Sequence, residues 1–376
     1  MPAQKRKEDL LTIWNAAVDA VSGETAVSRA IQQDGDFVPN QIIAVGKAAV
    51  GMCRGALNHF GDCPALVVTK YDHADEDILN RKNVRVIESA HPIPDQKSLE
   101  AGQAMLNCVS AMDRDSRLLL LVSGGASALA ESLNDDLTLD GLKAATDKMI
   151  STGKTIGEIN AVRKEMSGIK DGKLLAAFSG AEARVYAISD VEGDSIATIG
   201  SGIGDTHRAT GKASSSIIAS NQIARRCAEQ TATSLGLEVR HNQESLYDDV
   251  FKLAPQIGES LKQASKGVYI WGGEPTVILP ENPGRGGRNQ ALALAISKYL
   301  RGLANITLLV AGTDGSDGPT NAAGGLVDGQ TFSDEDAARA ALEAANAGQY
   351  LEAHDSLFVT GPTNTNVMDL AIAIID

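Results

Sequence analysis

A chain of 376 residues is longer than one hydrophobic core usually organises, so two domains are expected. Forty-three per cent apolar and 22% charged residues is the balance of a packed protein and excludes a disordered one. A formal net charge of −14 excludes a general nucleic-acid binder, which needs basic surface to displace counterions, but leaves room for a local cationic pocket.

The opening stretch, MPAQKRKEDLLTIWNAAVDA, mixes charges into an amphipathic helical period and does not read as a secretory signal. No run of about 18 apolar residues offers a membrane span. Cys53, Cys63, Cys108 and Cys227 have neither CxxC spacing nor the density of a disulfide scaffold, so they read as reduced thiols of a cytoplasmic protein.

Short apolar runs that end in glycine then alternate with longer segments of helical period, the pattern of parallel strands joined by crossover helices. Residues 41–45 (QIIAV) form such a strand, followed by Gly46, Lys47 and a helix; residues 65–69 (ALVVT) form the next. His91, ahead of Pro92, reads as a turn residue. Residues 118–122 (LLLLV) lead into Ser123, Gly124, Gly125 and Ser127, and residues 184–189 (RVYAIS) lead into DVEGD, with Asp190 and Asp194 on the same rim. Between them, residues 159–175 thread Asn160, Arg163, Lys164 and Lys170 through a helical segment.

Residues 230–267 are polar, helical in period and free of glycine clusters, and read as a connector. A second block begins at the strand 268–271 and runs through GGEPTVILPENPGRGGRNQALALAISKYL; the strand 306–310 leads into AGTDGSDGPTNAAGG, and a last strand-like run, 357–360, leads into GPTNTNVMDLAIAIID. The expected division is a first domain over 1–230, a helical connector over 231–267 and a second domain over 268–376.

Ligands of open parallel sheets bind where glycine turns at the strands' carboxyl ends present backbone N–H groups. Lys47 at a helix start can reach an anion held there; the competing reading is a solvated surface lysine. The turn Ser123, Gly124, Gly125, Ser127 has the composition of a phosphate or carboxylate cradle, or of a tight turn with Ser127 as a helix cap. In GRGGRNQ, Arg285 and Arg288 can make bidentate, charge-assisted hydrogen bonds to a phosphate. Asp314 and Asp317, spaced between glycines, can hold Mg²⁺ or orient a hydroxyl, or simply build Asp-Gly turns. Asn160, Arg163 and Lys170 form either an anion-binding stripe or a solvated face. Gly153, Lys154 and Thr155 do not make a Walker A loop, because Lys148 stands where that motif needs glycine. No convincing GxGxxG follows a strand, so a nicotinamide-dependent reductase lacks its fingerprint, and the scattered histidines propose no zinc site.

Read in order, VGKAA, ESAHPIPDQKSLEAG, VSGGASAL, INAVRKEMSGIKDGKL, SDVEGD, WGGEPTV, GRGGRNQALALA, GTDGSDGPTNAAGG and VTGPTNTNVMDL resemble the glycerate kinase family with a C-terminal MOFRL domain, members of which are often labelled hydroxypyruvate reductase. The resemblance spans nearly the whole chain. It implies an α/β fold in which a Rossmann-like, parallel-sheet N-terminal domain joins a second α/β domain of MOFRL type, with the active site in the cleft between them. It also implies ATP-dependent phosphorylation of D-glycerate, usually at the 2-hydroxyl, with Mg²⁺. Lys47 and Arg288 match the family's phosphate-binding and catalytic positions; Glu274, Asn289, Asp314 and Asp190 fall on residues expected to line the cleft, with Asp190 or Asp314 orienting the substrate hydroxyl. Lys47 and Arg288 are expected on different domains, so closure would bring them together. The partners implied are small molecules, D-glycerate and ATP, with no nucleic acid and no membrane, and a homodimer is allowed. Ala126, in place of a third glycine, and GSGIGD, in place of GSGP, depart from the family pattern. The rival readings are an NAD(P)H-dependent hydroxypyruvate reductase and a non-catalytic hydroxy-acid-binding protein.

Overall fold

The computed structural model describes residues 1–134, 137–152, 154 and 156–376, so Gly153 and Thr155 lie outside the described residues. The chain forms two compact units: one is Ser22–Ser220, and the other combines Met1–Val21 with Asn221–Asp376.

The unit Ser22–Ser220 is built on a six-stranded parallel sheet: β1 (Gln41–Val45), β2 (Ala65–Lys70), β3 (Val84–Ser89), β4 (Arg117–Val122), β5 (Glu182–Ile188) and β6 (Lys212–Ala219), in the order β3-β2-β1-β4-β5-β6. A strand covered on both faces reads as a continuous apolar run, which is why β1 and β4 are legible in the sequence. Ile43, Val45, Leu118, Leu120 and Val122 are buried with Met105, Leu129, Ile169 and Leu174 in one core. β1 pairs with β2 on one side and β4 on the other, so the strand order reverses there. Crossover connections leave a crevice at such a switch point, outside the carboxyl ends of the two strands. Gly46–Lys47 and Ser123–Ser127 follow those two ends.

The second unit carries β7 (Val239–Leu246), β8 (Gly267–Gly273), β9 (Ile306–Gly312), β10 (Gly324–Asp328), β11 (Leu357–Phe358) and β12 (Asp369–Ile375), in the order β11-β10-β9-β12-β8-β7. This sheet is mixed: β7 runs parallel to β8, while β12 lies antiparallel between β8 and β9. On one face Trp271, Leu308, Val310, Ala371 and Ala373 pack with Leu253, Ile257, Leu292 and Ile296 of the helices Val250–Lys262 and Arg288–Leu300. Ile270, Leu309 and Ile372 are in register across the three central strands, one residue out of phase, and are equally buried.

Two borders differ from the sequence reading. Residues 231–267 are not a helical connector: the helix Asn221–Ser234, β7 and the helix Val250–Lys262 fill them, and β7 pairs directly with β8. The polar sequence VRHNQESL conceals this strand because it is an edge strand whose residues are mostly only partly buried or exposed. Likewise the helix Ala3–Ala20 belongs with the C-terminal half. Its Arg6, only 2% exposed, donates from Nε to Thr307 Oγ1 (3.0 Å), from NH2 to the Ala304 carbonyl (2.6 Å) and from NH1 to Asp376 Oδ2 (2.5 Å). Trp14 meets the Phe358 ring edge-on at 5.1 Å.

Candidate active site

At the switch point of the first sheet the two glycine turns interlock through their backbones. Lys47 N–H donates to the Gly124 carbonyl (2.9 Å), Ser123 N–H to the Val45 carbonyl (2.9 Å), and Ala48 N–H to Ser123 Oγ (3.0 Å). Only glycine fits at 46: its φ is +127°, and a Cβ there would stand 2.2 Å from Ser123 Oγ. Ser123 therefore locks the turn, and the half-buried Lys47 side chain projects from it.

Asp190, just beyond β5, lies against the same turn, since a Cβ on Gly124 would come within 2.0 Å of its Oδ2. On Gly125, left-handed at φ +83°, a Cβ would meet His91 Cδ2 at 3.1 Å and Lys47 Cγ at 3.2 Å. Gly46, Lys47, Ser123, Gly124, Gly125 and Asp190 thus converge. His91 joins them, although its sequence reads only as a turn; the one signal there is its place in the motif SAHP. Ser127 turns aside, its Oγ 2.8 Å from Ser201 Oγ.

The expected stripe of Asn160, Arg163 and Lys170 does not form. The helix Ile156–Met166 ends before Lys170. Lys170 is fully buried, its Nζ bound to the equally buried Glu131, and burial pulls its pKa down against the stabilising Glu131 charge. That pair is part of the core and offers no charge to a ligand. Arg163 Nε is buried without a hydrogen-bond partner. Asn160 lines a hollow of about 230 Å³ together with Lys164, Thr198 and Ser201.

The second unit presents a different cluster around the start of the helix Arg288–Leu300. Arg288 donates from Nε to Asp369 Oδ2 (2.7 Å) and pairs through NH1 with Glu274 Oε1 (2.8 Å); Asn289 Nδ2 donates to Asp369 Oδ1 (2.9 Å). Burial opposes the Arg288 charge, but Asp369 and Glu274 outweigh it and raise its pKa. Asp369 is 2% exposed, and burial pushes its carboxyl up to about 6 despite the pull of Arg288 and the Asn289 hydrogen bond. Asp369 therefore holds Arg288 and Asn289 together, and Arg288 in turn holds Glu274. Asp369 stands next to last in the motif VTGPTNTNVMDL, but a lone Asp before an apolar run gives no hint that β12 sits centrally.

Asp317 does other work. Its carboxylate accepts from the backbone N–H of Asn289 (3.0 Å) and Gln290 (2.8 Å) and from Gln290 Nε2 (3.0 Å), capping the helix from a separate loop. Burial raises its pKa, offset in part by these hydrogen bonds. Both oxygens thus hold the start of this helix in place. Asp314, half-buried, accepts from Ser316 N–H (2.9 Å) and Oγ (3.1 Å) on Oδ1. A Cβ on Gly312 would lie 3.2 Å from Oδ1 of both Asp314 and Asp369, so the two carboxylates border the same glycine. Arg285 is exposed and ion-paired with exposed Glu352, apart from this cluster. Among the described residues no three His, Cys, Asp or Glu side chains gather as a metal cage.

Two family models cover the chain: residues 9–236 match a domain of unknown function, DUF4147, and residues 267–369 match the MOFRL family. The D-glycerate 2-kinase of Thermotoga maritima is 31% identical, over 89% of this chain and 90% of that protein. The chain belongs to the glycerate kinase family with a MOFRL domain. A glycerate 2-kinase of Pyrococcus horikoshii, also 31% identical, is matched over 100% of this chain and 98% of the relative. The crystal structure of a Thermotoga maritima glycerate kinase superposes with a TM-score of 0.90 at 28% identity, covering 99% of this chain and all of that one. In this member of the glycerate kinase family, the Lys47 turn lies within the DUF4147 match and the Arg288 cluster within the MOFRL match, whose last residue is Asp369.

Proposed function

We propose that this protein transfers the terminal phosphoryl group of ATP to D-glycerate, at the 2-hydroxyl, giving 2-phosphoglycerate and ADP. The observation that carries the reading is the meeting of Lys47, the Ser123–Gly125 turn and Asp190 at the switch point of a parallel sheet. Phosphoryl transfer asks a protein chiefly for positioning and for neutralisation of oxygen charge, and this inventory suits that demand.

In this reading Lys47 and Arg288 bear on the charge of the transferring phosphoryl group. Arg288 is pre-oriented for this by Asp369 and Glu274, so little side-chain entropy is lost on binding. Asp190 accepts the proton of the 2-hydroxyl as the new O–P bond forms and the bond from phosphorus to the β-phosphate oxygen breaks; Asp314 is the alternative acceptor. Mg²⁺ fits a site of this kind as an ion carried on nucleotide phosphates with one or two protein carboxylates, for which Asp314 is the suitable donor. Bound there, it would neutralise phosphate charge.

The test is a coupled assay of ADP release with D-glycerate, ATP and Mg²⁺, run beside an assay of NADH consumption with hydroxypyruvate. The kinase reading predicts turnover in the first, loss of about 100-fold or more in Lys47→Ala, and a 2-phosphoglycerate signal by phosphorus NMR. Turnover only in the second assay refutes it. Cys53, Cys63, Cys108 and Cys227 are free thiols, which favours work in the reducing cytoplasm. No helix among the described residues is long and apolar enough to cross a membrane.

A further inference from the structure

His91 stands apart from every role assigned above. It follows β3, yet its ring edge reaches the anion-binding turn after β4: on the one point where a Gly125 Cβ would sit, His91 Cδ2 (3.1 Å) and Nε2 (3.3 Å) approach together with Lys47 Cγ (3.2 Å). The imidazole and the lysine stem therefore border the same small volume over Gly125. The left-handed φ of +83° favours glycine here, and both side chains flank the backbone expected to meet an anion.

The charge state suits that place. Burial first, then the nearby charges of Lys47, Lys70 and His73, pull the imidazole down to about 4, so at neutral pH it is uncharged. An uncharged imidazole still carries one ring N–H, whose position is fixed by what the other nitrogen meets. It adds a hydrogen bond to an oxyanion without competing with Lys47 for counter-charge.

We propose that His91 is a further ligand-binding residue of this site, donating a ring N–H to the same oxyanion that Lys47 and the Gly124–Gly125 turn receive. The inference rests on the kinase reading. The oxyanion is either the carboxylate of the hydroxy acid or a phosphate of the nucleotide.

His91→Phe keeps the ring and removes the donor; His91→Gln keeps an N–H donor and removes the ring. Steady-state ADP release, varying glycerate at saturating ATP and then the reverse, reads the outcome. The expected result is a rise of about 10- to 100-fold in KM for one substrate in His91→Phe, with most of it recovered in His91→Gln, the size of one hydrogen bond to a charged group. A rise for glycerate identifies the carboxylate, and a rise for ATP the phosphate. The inference falls if His91→Phe keeps both KM values within about twofold, or if both variants lose activity alike with a lowered melting temperature, which would make His91 a packing residue. Lys47→Ala runs alongside: its full retention of activity would sink the underlying site, whereas an inactive Lys47→Ala beside an unaffected His91→Phe would sink only the role of His91.

Discussion

Replacing Asp369 by asparagine separates stability from activity in a way that depends on pH. The side chain is 2% exposed and receives two donors, Arg288 Nε and Asn289 Nδ2. Asparagine has the same outline but one acceptor and one donor, so one of the two incoming N–H groups faces another N–H. The folded-state pKa is about 6 against a reference of 3.8. Because the folded value is raised, the native state binds the proton more tightly than the unfolded chain, and stability falls as pH rises from about 4 through about 6. The difference of roughly two units amounts to about 3 kcal/mol. The amide in Asp369→Asn cannot titrate and lacks that slope. Denaturant melts of both proteins at pH 4 and pH 8 should therefore show the wild-type advantage shrinking by about 2.5 kcal/mol over that interval. Activity moves the other way. Wild-type kcat should fall as pH drops through about 6, when the carboxylate that holds Arg288 is protonated, whereas Asp369→Asn should be about 10- to 100-fold slower at pH 8 and show no such limb. A flat stability difference between pH 4 and 8, or wild-type kcat in the variant at pH 8, would refute the reasoning.

The other predictions concern residues whose tasks the fold divides. Glu131→Gln leaves the Lys170 ammonium buried and unmatched and should cost about 3–5 kcal/mol by thermal or urea melts, while Glu131→Gln combined with Lys170→Met should recover much of the loss. Gly124→Ala sets a methyl group within 2.0 Å of the Asp190 carboxylate as it now stands; if that carboxylate handles the hydroxyl proton, kcat should fall by at least about tenfold in steady-state ADP release. Arg285→Ala, which breaks an exposed ion pair, should change stability by less than about 1 kcal/mol and leave kcat within a few fold, in contrast with Arg288→Ala.

What is legible in the sequence is what burial on both faces writes there. β1, β2, β4, β8 and β9 are near-continuous apolar runs, and the turns after β1 and β4 are marked by glycines that close approach demands, as Gly46 against Ser123 illustrates. The partly exposed strands are not: KASSSIIA and VRHNQESL present polar residues to water along much of their length, so β6 and β7 escape an apolar template. At the site, residue type identifies cations and carboxylates but not what they face. Lys170 and Asp317 have suitable chemistry, and the fold commits each to a buried internal partner. Asp369 and His91 lack a pattern of their own, because their importance comes from strands and turns far apart in sequence.

The helix Ala3–Ala20 also sets an order of events during synthesis. The unit Ser22–Ser220 is complete once residue 220 is available, but the partners of Arg6 include Thr307 and Asp376. The stretch from residue 221 to residue 376 takes about 8–30 s to translate at roughly 5–20 residues per second. Over that interval the helix can meet Asn221–Ser234, but Trp14 still lacks the Phe358 ring and Arg6 its acceptors. Full cover for this helix thus waits on Thr307 and Phe358, and a chaperone that binds amphipathic helices would find its opening there.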